Sequence, residues 1–434
     1  MTALASRLRN RTAKIAIVGQ GYVGLPLAAE FGSAGFTVIG LDTDLDRIAQ
    51  LNAGSSYIPD VPSEALLSLV SDGRYTATAD PEILVSVDAV VICVPTPLRK
   101  SKDPDISYVM AAVDEVARHL RADQLVVLES TTYPGTTEQV LLPRFEGKGL
   151  VAGEDFYLAF SPERIDPANP TFRVRDIPKV VGGVTPACTE MAAMLYGHIV
   201  PRVLRLSSAR AAELAKLYEN VFRNVNIALA NEFALMCARL GVSSKEVIDA
   251  AASKPFGFMA FYPGPGIGGH CIPVDPQYLT WTMRLNGYEP RMIHVADEIN
   301  RSMPGHVVDL VGDALNRQRR SLNGANILVL GVAYKRSVSD TRESPALDII
   351  ERLLDKGAII AYSDPYVPAL KIGSSILKSV DLTSAAIHEA DCVVILTDHP
   401  EVPYERIAAD ARLVVDARNA TFGLPDRGGC IVRL

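Results

Sequence analysis

Lys14-Ile15-Ala16-Ile17-Val18-Gly19-Gln20-Gly21-Tyr22-Val23-Gly24 is the stretch from which the fold can be read. Lys14 to Val18 has the length and apolar content of a short buried strand, and the LPLAAEFGSAG that follows Gly24 continues as an apolar helical pattern. A second strand, FTVIGLD, ends at Asp42, 18 residues past the last glycine. A bare G-x-G-x-x-G carries little weight. Set between strand and helix, with an acid at that distance, it describes a dinucleotide-binding βαβ unit. Gly19 permits the tight turn, Gly21 lets the backbone approach a pyrophosphate, and Gly24 lets the helix pack on the strand. Gln20, Tyr22 and Val23 fill the remaining turn positions, with Tyr22 and Val23 as candidate cofactor contacts, and the helix N-terminus faces the phosphates. Asp42 can accept hydrogen bonds from both hydroxyls of an adenosine ribose and repels a 2′-phosphate, which favours NAD over NADP. The blander alternative is an ordinary glycine-rich βαβ turn.

Two further buried strands extend the unit. Val87 to Val94 runs into Pro95-Thr96-Pro97, and Gln124 to Ser130 runs into Thr131-Thr132-Tyr133-Pro134-Gly135. Both loops leave the carboxyl ends of strands, where open α/β sheets bind ligands, so Thr96 and Thr132 are candidates to touch cofactor or substrate. Turn or capping service is the ordinary role for either threonine alone.

The whole chain has 434 residues, 48% apolar and 21% charged, with a formal net charge of −7. That is material for two or three ordered domains. The acidic balance argues against a nucleic-acid binder. MTALASRLRNRTAK does not read as a secretory signal, and the longest apolar runs are strand-sized, so no membrane association and a cytoplasmic location are expected. Six scattered cysteines without a CxxC pair suggest neither a metal site nor a disulfide framework.

From about Ser207 the period changes. Leu214, Leu217, Val221, Val225, Leu229, Phe233 and Met236 recur every three or four residues, predicting one long helix capped by Ser207 or Ser208 and ended by Gly241. Glu213, Lys216, Asn220 and Asn224 share a polar stripe, which by periodicity alone reads as the solvated face. Ser243-Ser244-Lys245-Glu246 is a capping box that opens a second helix. Such a helical segment between two α/β units is expected to supply a dimer interface.

Phe261 to Pro276 (FYPGPGIGGHCIPVDP) is too rich in Gly and Pro for a helix or central strand. Its glycines allow close approach to a ligand. Cys271, flanked by His270 and followed by Asp275, is a candidate nucleophile there, activated by a cation such as Lys216. Cys93 and Cys392 sit in apolar strands and read as inert. Beyond the loop the α/β plan returns: strand Asn326 to Gly331, helix Pro345 to Lys356 capped by Ser344, and strands Ala358 to Tyr362, Ala390 to Thr397 and Leu413 to Asp416. This unit has no G-x-G-x-x-G. Its first loop carries Lys335, with Arg342 further on and Arg418 at a later strand end. Two nucleotide-binding units of different fingerprint suggest two nucleotides, a cofactor and one carried by the substrate. The fold class is α/β, two Rossmann-like doubly wound domains (1–203 and 317–434) joined by a central helical segment (204–316).

GGHCIPVDP, with AELAKLYEN before it and AYKRSVSDTRESP after it, resembles the UDP-glucose/GDP-mannose dehydrogenase family over essentially the whole chain. The resemblance implies an NAD-dependent, four-electron oxidation of a UDP-sugar at C6, through a thiohemiacetal and a thioester on Cys271, in a homodimer formed through the central helix. It implies that Lys216 and Asn220 stabilise the C6 oxygen, and that Asp275, Thr132 and Glu163 order water and move protons. Lys335 and Arg418 are then substrate cations, with Arg164, Tyr262 and Gly268 as further substrate contacts. Arg342 is implied as a cofactor contact, and Arg47 stands beside the adenosine.

Family members acting on UDP-glucose carry Ser before the cysteine, Lys three residues after it, and a second Glu four residues past Glu163. Here these positions are His270, Val274 and Pro167. The GGHC form with YPGPG resembles the branch acting on UDP-N-acetylhexosamines, with UDP-N-acetylglucosamine first and UDP-N-acetylmannosamine second. The alternatives are UDP-glucose, a two-electron hydroxy-acid dehydrogenase in which Cys271 is structural, and a nucleotide sensor on a retired scaffold.

Overall fold

The computed structural model describes residues 2–99, 103–164, 171–172, 174–426 and 429–434, so Pro167 lies outside the described residues. The chain divides into two compact units: Met1–Glu219 with Gln277–Tyr288, and Asn220–Pro276 with Glu289–Leu434.

The first unit is built on an eight-stranded sheet. Its strands are β1 (Lys14–Val18), β2 (Thr37–Leu41), β3 (Tyr75–Thr78), β4 (Ala89–Ile92), β5 (Leu125–Leu128), β6 (Tyr157–Phe160), β7 (Lys179–Gly183) and β8 (Val203–Arg205), in the order β3-β2-β1-β4-β5-β6-β7-β8. β1 pairs in parallel with β2 on one side (Val18 opposite Leu41) and with β4 on the other (Val18 opposite Ile92). The connection therefore reverses direction across the sheet between β1 and β4, and strand ends at such a switch point are where ligands bind. The pairing of β6 with β7 is antiparallel. Side chains alternate between faces, so Ile15 and Ile17 enter one core with Phe31 and Tyr196, while Ala16 and Val18 enter another with Val90 and Ile92. Burial on both faces explains why these strands read as continuous apolar runs.

The second unit repeats the plan with β9 (Asn326–Leu330), β10 (Ile359–Ser363), the small hairpin β11 (Ala369–Ile372) and β12 (Ser375–Lys378), then β13 (Cys392–Ile395), β14 (Val414–Asp416) and β15 (Ile431–Arg433). Its main sheet is parallel in the order β10-β9-β13-β14-β15. Ile327 and Val329 face one core, Leu328 and Leu330 the other. Ser344 caps the helix Pro345–Asp355 through the Ala346 N–H, as its position predicts. A 27-residue helix, Arg291–Arg317, carries Pro304 within it and supplies Val307, Val308 and Val311 to the core.

The long helix spans Ala209–Leu240, with the Ser208 hydroxyl accepting from Ala211 N–H at its start and Gly241 in the left-handed region at its end. One expectation about it is overturned. The polar stripe is not the solvated face: Glu213, Lys216, Asn220, Asn224 and Asn231 are at most 9% exposed. The apolar positions divide: Leu217 is buried and Val221, Val225 and Phe233 are half-buried, whereas Leu214, Leu229 and Met236, together with Tyr218, Phe222 and Leu240, are 39–77% exposed. Periodicity fixes which residues share a face but not which face turns inward. Here polar side chains go in because each meets a buried backbone or carboxylate partner.

Candidate active site

The first unit presents a nucleotide turn. Gly19 has φ +92, and a Cβ there meets the Cys93 carbonyl oxygen at 2.7 Å; a Cβ on Gly24 falls 1.8 Å from the Gly19 oxygen. A Cβ on Gly21 meets nothing within 4 Å, leaving an open cradle at the middle glycine. Val23 precedes the helix Gly24–Ser33, and Tyr22 is exposed beside the turn. Asp42 sits at the end of β2, accepting from Gln20 N–H (2.8 Å) and Asp44 N–H (3.0 Å), with Arg47 4.0 Å away. Arg47 lies over the Tyr57 ring and pairs with Asp44. Burial, with Asp42 next, pushes the Tyr57 phenol up to about 12, so it stays protonated and donates to the Gln20 carbonyl at 2.5 Å. An open glycine turn, a helix N-terminus and an acid at the ribose position fit a dinucleotide without a 2′-phosphate.

The loops after β4, β5 and β6 add the other candidates of this unit. Ser130 donates to the Val94 carbonyl at 2.8 Å, tying the Thr96 loop to the Thr132 loop, and Tyr278 donates to the Thr96 carbonyl at 3.1 Å. Thr132 is 1% exposed, and its hydroxyl has no hydrogen-bond partner among the described residues. Such a group calls for a water or ligand partner. Glu213 from the long helix pins the following turn, accepting from Gly135 N–H (2.5 Å), Thr137 N–H (2.9 Å) and the Thr137 hydroxyl (2.7 Å). One turn on, Lys216 Nζ donates to the Glu163 carbonyl at 2.8 Å. Arg164 donates to the Pro178 carbonyl and pairs with Glu219 at 2.7 Å. Glu163, Arg164 and Lys216 are thus brought together.

Behind Glu163 lies a cluster that sequence reading missed. Lys179, the first residue of β7 and 5% exposed, forms an ion pair with Glu129 and stands 3.5 Å from Glu163 Oε2. Tyr196 donates to Glu129 at 3.1 Å, and Cys93 approaches it at 3.8 Å. Burial pushes the Cys93 thiol well above its ordinary value, so it is inert, as expected from its strand.

In the second unit the Cys271 loop is held from the same long helix, turn by turn. Asn220 donates to Asp275 at 2.6 Å, Asn224 donates to the Ile272 carbonyl at 3.2 Å, and the Asn231 side chain accepts from Gly264 N–H at 2.9 Å. Asp275 is 1% exposed, whereas Cys271 is partly exposed, unlike the buried Cys93, Cys188, Cys237 and Cys392. Asp275 N–H returns to the Cys271 carbonyl at 2.8 Å, so nucleophile candidate and carboxylate are fixed in one turn. The glycines seat this loop on the first loop of the β9 unit: a Cβ on Gly268 meets Tyr334 Cβ at 2.7 Å, and one on Gly269 meets the Tyr334 ring at 2.8 Å. Lys335 follows Tyr334 directly and lies over its ring. Arg418 donates to the Leu396 carbonyl at 2.9 Å and lies against Gly264, where a Cβ falls 2.8 Å from the guanidinium. Cys271, Asp275, Asn220, Gly268, Lys335 and Arg418 therefore belong to one loop cluster.

Two candidates have other partners in this unit, Arg342 remaining against the Cys271 loop, where its carbonyl accepts from Gly269 N–H at 3.2 Å. Tyr262 donates to Asp249 at 2.7 Å beneath Lys245. Arg342 chelates Asp340, which also holds His270 at 2.9 Å. Burial pushes the Asp340 carboxyl up, but the bonds from His270 and Arg342 win and hold it well below the usual carboxylate range. The acid at the end of β10, Asp364, is buried and fully engaged by Val332 N–H, Ala333 N–H and His399. It is not available to a ribose as Asp42 is, which explains why two similar sheets present different ligand surfaces.

Comparison with known proteins matches three stretches of the chain to one family. Residues 13–200 match the NAD binding domain of the UDP-glucose/GDP-mannose dehydrogenase family, residues 210–302 its central domain and residues 328–422 its UDP binding domain. The chain is 37% identical to a UDP-N-acetyl-D-mannosamine dehydrogenase of Pyrococcus horikoshii over 94% of this chain and 95% of that protein. It is 38% identical to a UDP-N-acetyl-D-glucosamine 6-dehydrogenase of Pseudomonas aeruginosa over 82% and 83%. The solved structure of a UDP-D-ManNAc dehydrogenase from P. horikoshii superposes with a TM-score of 0.88 at 36% identity, covering 97% of this chain and 98% of that one.

Proposed function

Because the chain belongs to the UDP-glucose/GDP-mannose dehydrogenase family, we propose that it oxidises C6 of UDP-N-acetylglucosamine to the carboxylate by way of a thioester on Cys271. It is an NAD-dependent oxidoreductase of UDP-sugars. The observation that carries the mechanistic reading is the turn that fixes Cys271 to a buried Asp275, itself bonded to Asn220 at 2.6 Å.

Gly19, Gly21, Tyr22, Val23 and Gly24 cradle the pyrophosphate, Asp42 and Arg47 the adenosine ribose and its surroundings, and Thr96, Thr132 and Arg342 complete the cofactor contacts. Each NAD held there would supply a hydride acceptor, so the two hydrides that leave C6 require two NAD taken in sequence. Lys335, Arg418, Arg164, Tyr262 and Gly268 hold the UDP-sugar. Lys216 and Asn220 donate to the C6 oxygen as negative charge develops on it, the largest electrostatic term such a site can supply. Cys271 Sγ adds to the C6 aldehyde carbon, which keeps the aldehyde from escaping and makes a tetrahedral alkoxide able to give up a second hydride. Thr132 orients a water on the resulting thioester, Glu163 takes its proton, and the C6–Sγ bond breaks with Cys271 leaving as thiolate. Asp275 holds Asn220 and exchanges protons with Cys271.

His270 and Val274 support an N-acetylated sugar, with UDP-N-acetylmannosamine as the second choice. A panel of UDP-N-acetylglucosamine, UDP-N-acetylmannosamine, UDP-N-acetylgalactosamine and UDP-glucose tests this: the reading expects two NADH per sugar acid. One NADH and no acid defeats it in favour of two-electron chemistry.

The exposed apolar stripe of the long helix supports a homodimer. Leu214, Tyr218, Phe222, Leu229, Met236 and Leu240 recur at helical spacing along one face and are too contiguous for an unpartnered surface. A second copy of the same helix is the proposed occupant.

A further inference from the structure

Glu163 is a loop carboxylate, and loop carboxylates are poor at holding one orientation unless something behind them is fixed. What stands behind it is the buried cluster of the first unit. Lys179 enters from the start of β7, Glu129 from the end of β5, Tyr196 from a helix and Cys93 from the loop after β4. Lys179 Nζ faces Glu129 on one side and Glu163 Oε2, 3.5 Å away, on the other. The loop carrying Glu163 is tied to the same strand start, since Arg164 donates to the carbonyl of Pro178 at 2.7 Å and Ser161 to that of Val180 at 2.8 Å. Glu163 Oε1 accepts from Arg164 N–H at 2.6 Å, and Lys216 binds its main-chain oxygen.

A buried lysine is costly unless it is paired. One carboxylate, Glu129, would satisfy that need. Pointing the same ammonium at a second carboxylate serves that second group. We propose that Lys179 is a positioning residue for the acid–base step, holding Glu163 ionised and aimed, with Glu129 and Tyr196 as the fixed mount for Lys179. This rests on the reading of Glu163 as the base that deprotonates the hydrolytic water. In that step the water oxygen adds to the thioester carbon, Glu163 takes the proton, and Cys271 departs as thiolate.

The charged and titratable groups around Lys179 are Glu129, Glu163, Tyr196, Cys93 and Lys216. Burial works to strip its proton, pulling it down to about 7, and Lys216 adds to that pull while Cys93 opposes it. Glu129 and Glu163 are the carboxylates that face the ammonium. An ammonium within a few ångströms lowers a carboxyl by about 1–3 units, so removing it raises Glu163 by that amount.

The test uses the intact enzyme with the UDP-sugar of highest turnover in the panel above. The pH profile of kcat is measured together with mass-spectrometric detection of acyl-Cys271. Lys179→Met is expected to move the acid limb of kcat up by about 1–3 pH units and to accumulate the thioester below it, with KM for the UDP-sugar within about twofold of the parent. Lys179→Arg is expected to restore the limb. Since Lys179→Met strands Glu129 in the interior, the double variant Lys179→Met/Glu129→Gln removes both charges and keeps the volume; it is expected to show the same shifted limb. A folded double variant with the parental limb overturns the inference. Glu163→Gln separates the two levels. If it traps the thioester while the double variant keeps the parental limb, Lys179 alone is misassigned. If Glu163→Gln hydrolyses the thioester at the parental rate, the base assignment falls and the inference with it.

Discussion

Two glycines three residues apart in the nucleotide turn make opposite demands, and substituting each by alanine separates them. At Gly24 a Cβ lies 1.8 Å from the Gly19 oxygen, more than 1 Å inside the 3.0 Å floor for such contacts, with Ile17 at 3.3 Å behind it. The atom struck at 1.8 Å is backbone, so the helix Gly24–Ser33 must move off the turn. Overpacking costs about 1–3 kcal/mol, and a backbone–backbone clash belongs at the upper end. At roughly 2–4 °C per kcal/mol for a unit of this size, Gly24→Ala lowers the melting temperature by about 6–12 °C without cofactor. At Gly21 the same methyl meets nothing within 4 Å and the backbone is not in the left-handed region. Gly21→Ala therefore leaves apo stability unchanged or raises it by about 0.4–1 kcal/mol through the unfolded chain. Its methyl occupies the cradle, so NAD affinity falls by about 10- to 100-fold, or 1.4–2.8 kcal/mol. Thermal melts with and without NAD, plus calorimetric titration, read both effects. Parental NAD affinity in Gly21→Ala, or a parental apo melting temperature in Gly24→Ala, refutes the assignment of the two glycines.

Cys271→Ser is expected to abolish full conversion to acid or to leave an ester on Ser that mass spectrometry detects; parental acid production removes Cys271 from the mechanism. Gly264→Ala drives a methyl into the Arg418 guanidinium, and KM for the UDP-sugar is expected to rise about tenfold, about 1.4 kcal/mol, with kcat little changed. Phe222→Glu places charge in the middle of the exposed apolar stripe, and a halving of the mass in light scattering is expected; an unchanged mass refutes the proposed interface. Burial raises Glu213 above its ordinary value of 4.5, against hydrogen bonds from Thr137 and Gly135. The folded state then binds the extra proton, so this contribution is full below pH 4.5 and is lost as pH rises through the folded value. The urea midpoint of Glu213→Gln should accordingly gain on the parent as pH climbs from that point, and a constant difference contradicts it.

Much of the fold was legible because its strands are buried on both faces. β1, β4, β5, β9 and β13 appear as unbroken apolar runs within a residue or two of their true ends, and local chemistry marked the caps at Ser243 and Ser344. The glycine fingerprint and the Cys271 loop were legible for the same kind of reason, since backbone constraint writes itself as glycine. The Lys179–Glu129 pair was not. Each residue flanks an apolar strand and looks like an ordinary strand-end charge. Their partnership depends on bringing β5 and β7 into one sheet across an intervening antiparallel step, and no local pattern encodes that. The orientation of the long helix was misread because amphipathic spacing is symmetric under exchange of inside and outside. The partners that decide the matter, Thr137, Glu163, Ile272 and Gly264, are scattered through the chain.

That inverted helix has a consequence for anyone who would redesign the protein. A pattern-based procedure that fills inward positions with leucine and outward ones with lysine or glutamate would erase Glu213, Lys216, Asn220, Asn224 and Asn231. The product could still be a sound helix, with better propensity than the original, yet each replaced side chain would release a different loop. In a saturation mutagenesis map the usual colouring should be reversed along this segment. Intolerance would track the amides and charges, and the exposed apolar residues, unlike the buried Leu217, would be forgiving in any assay that does not depend on association.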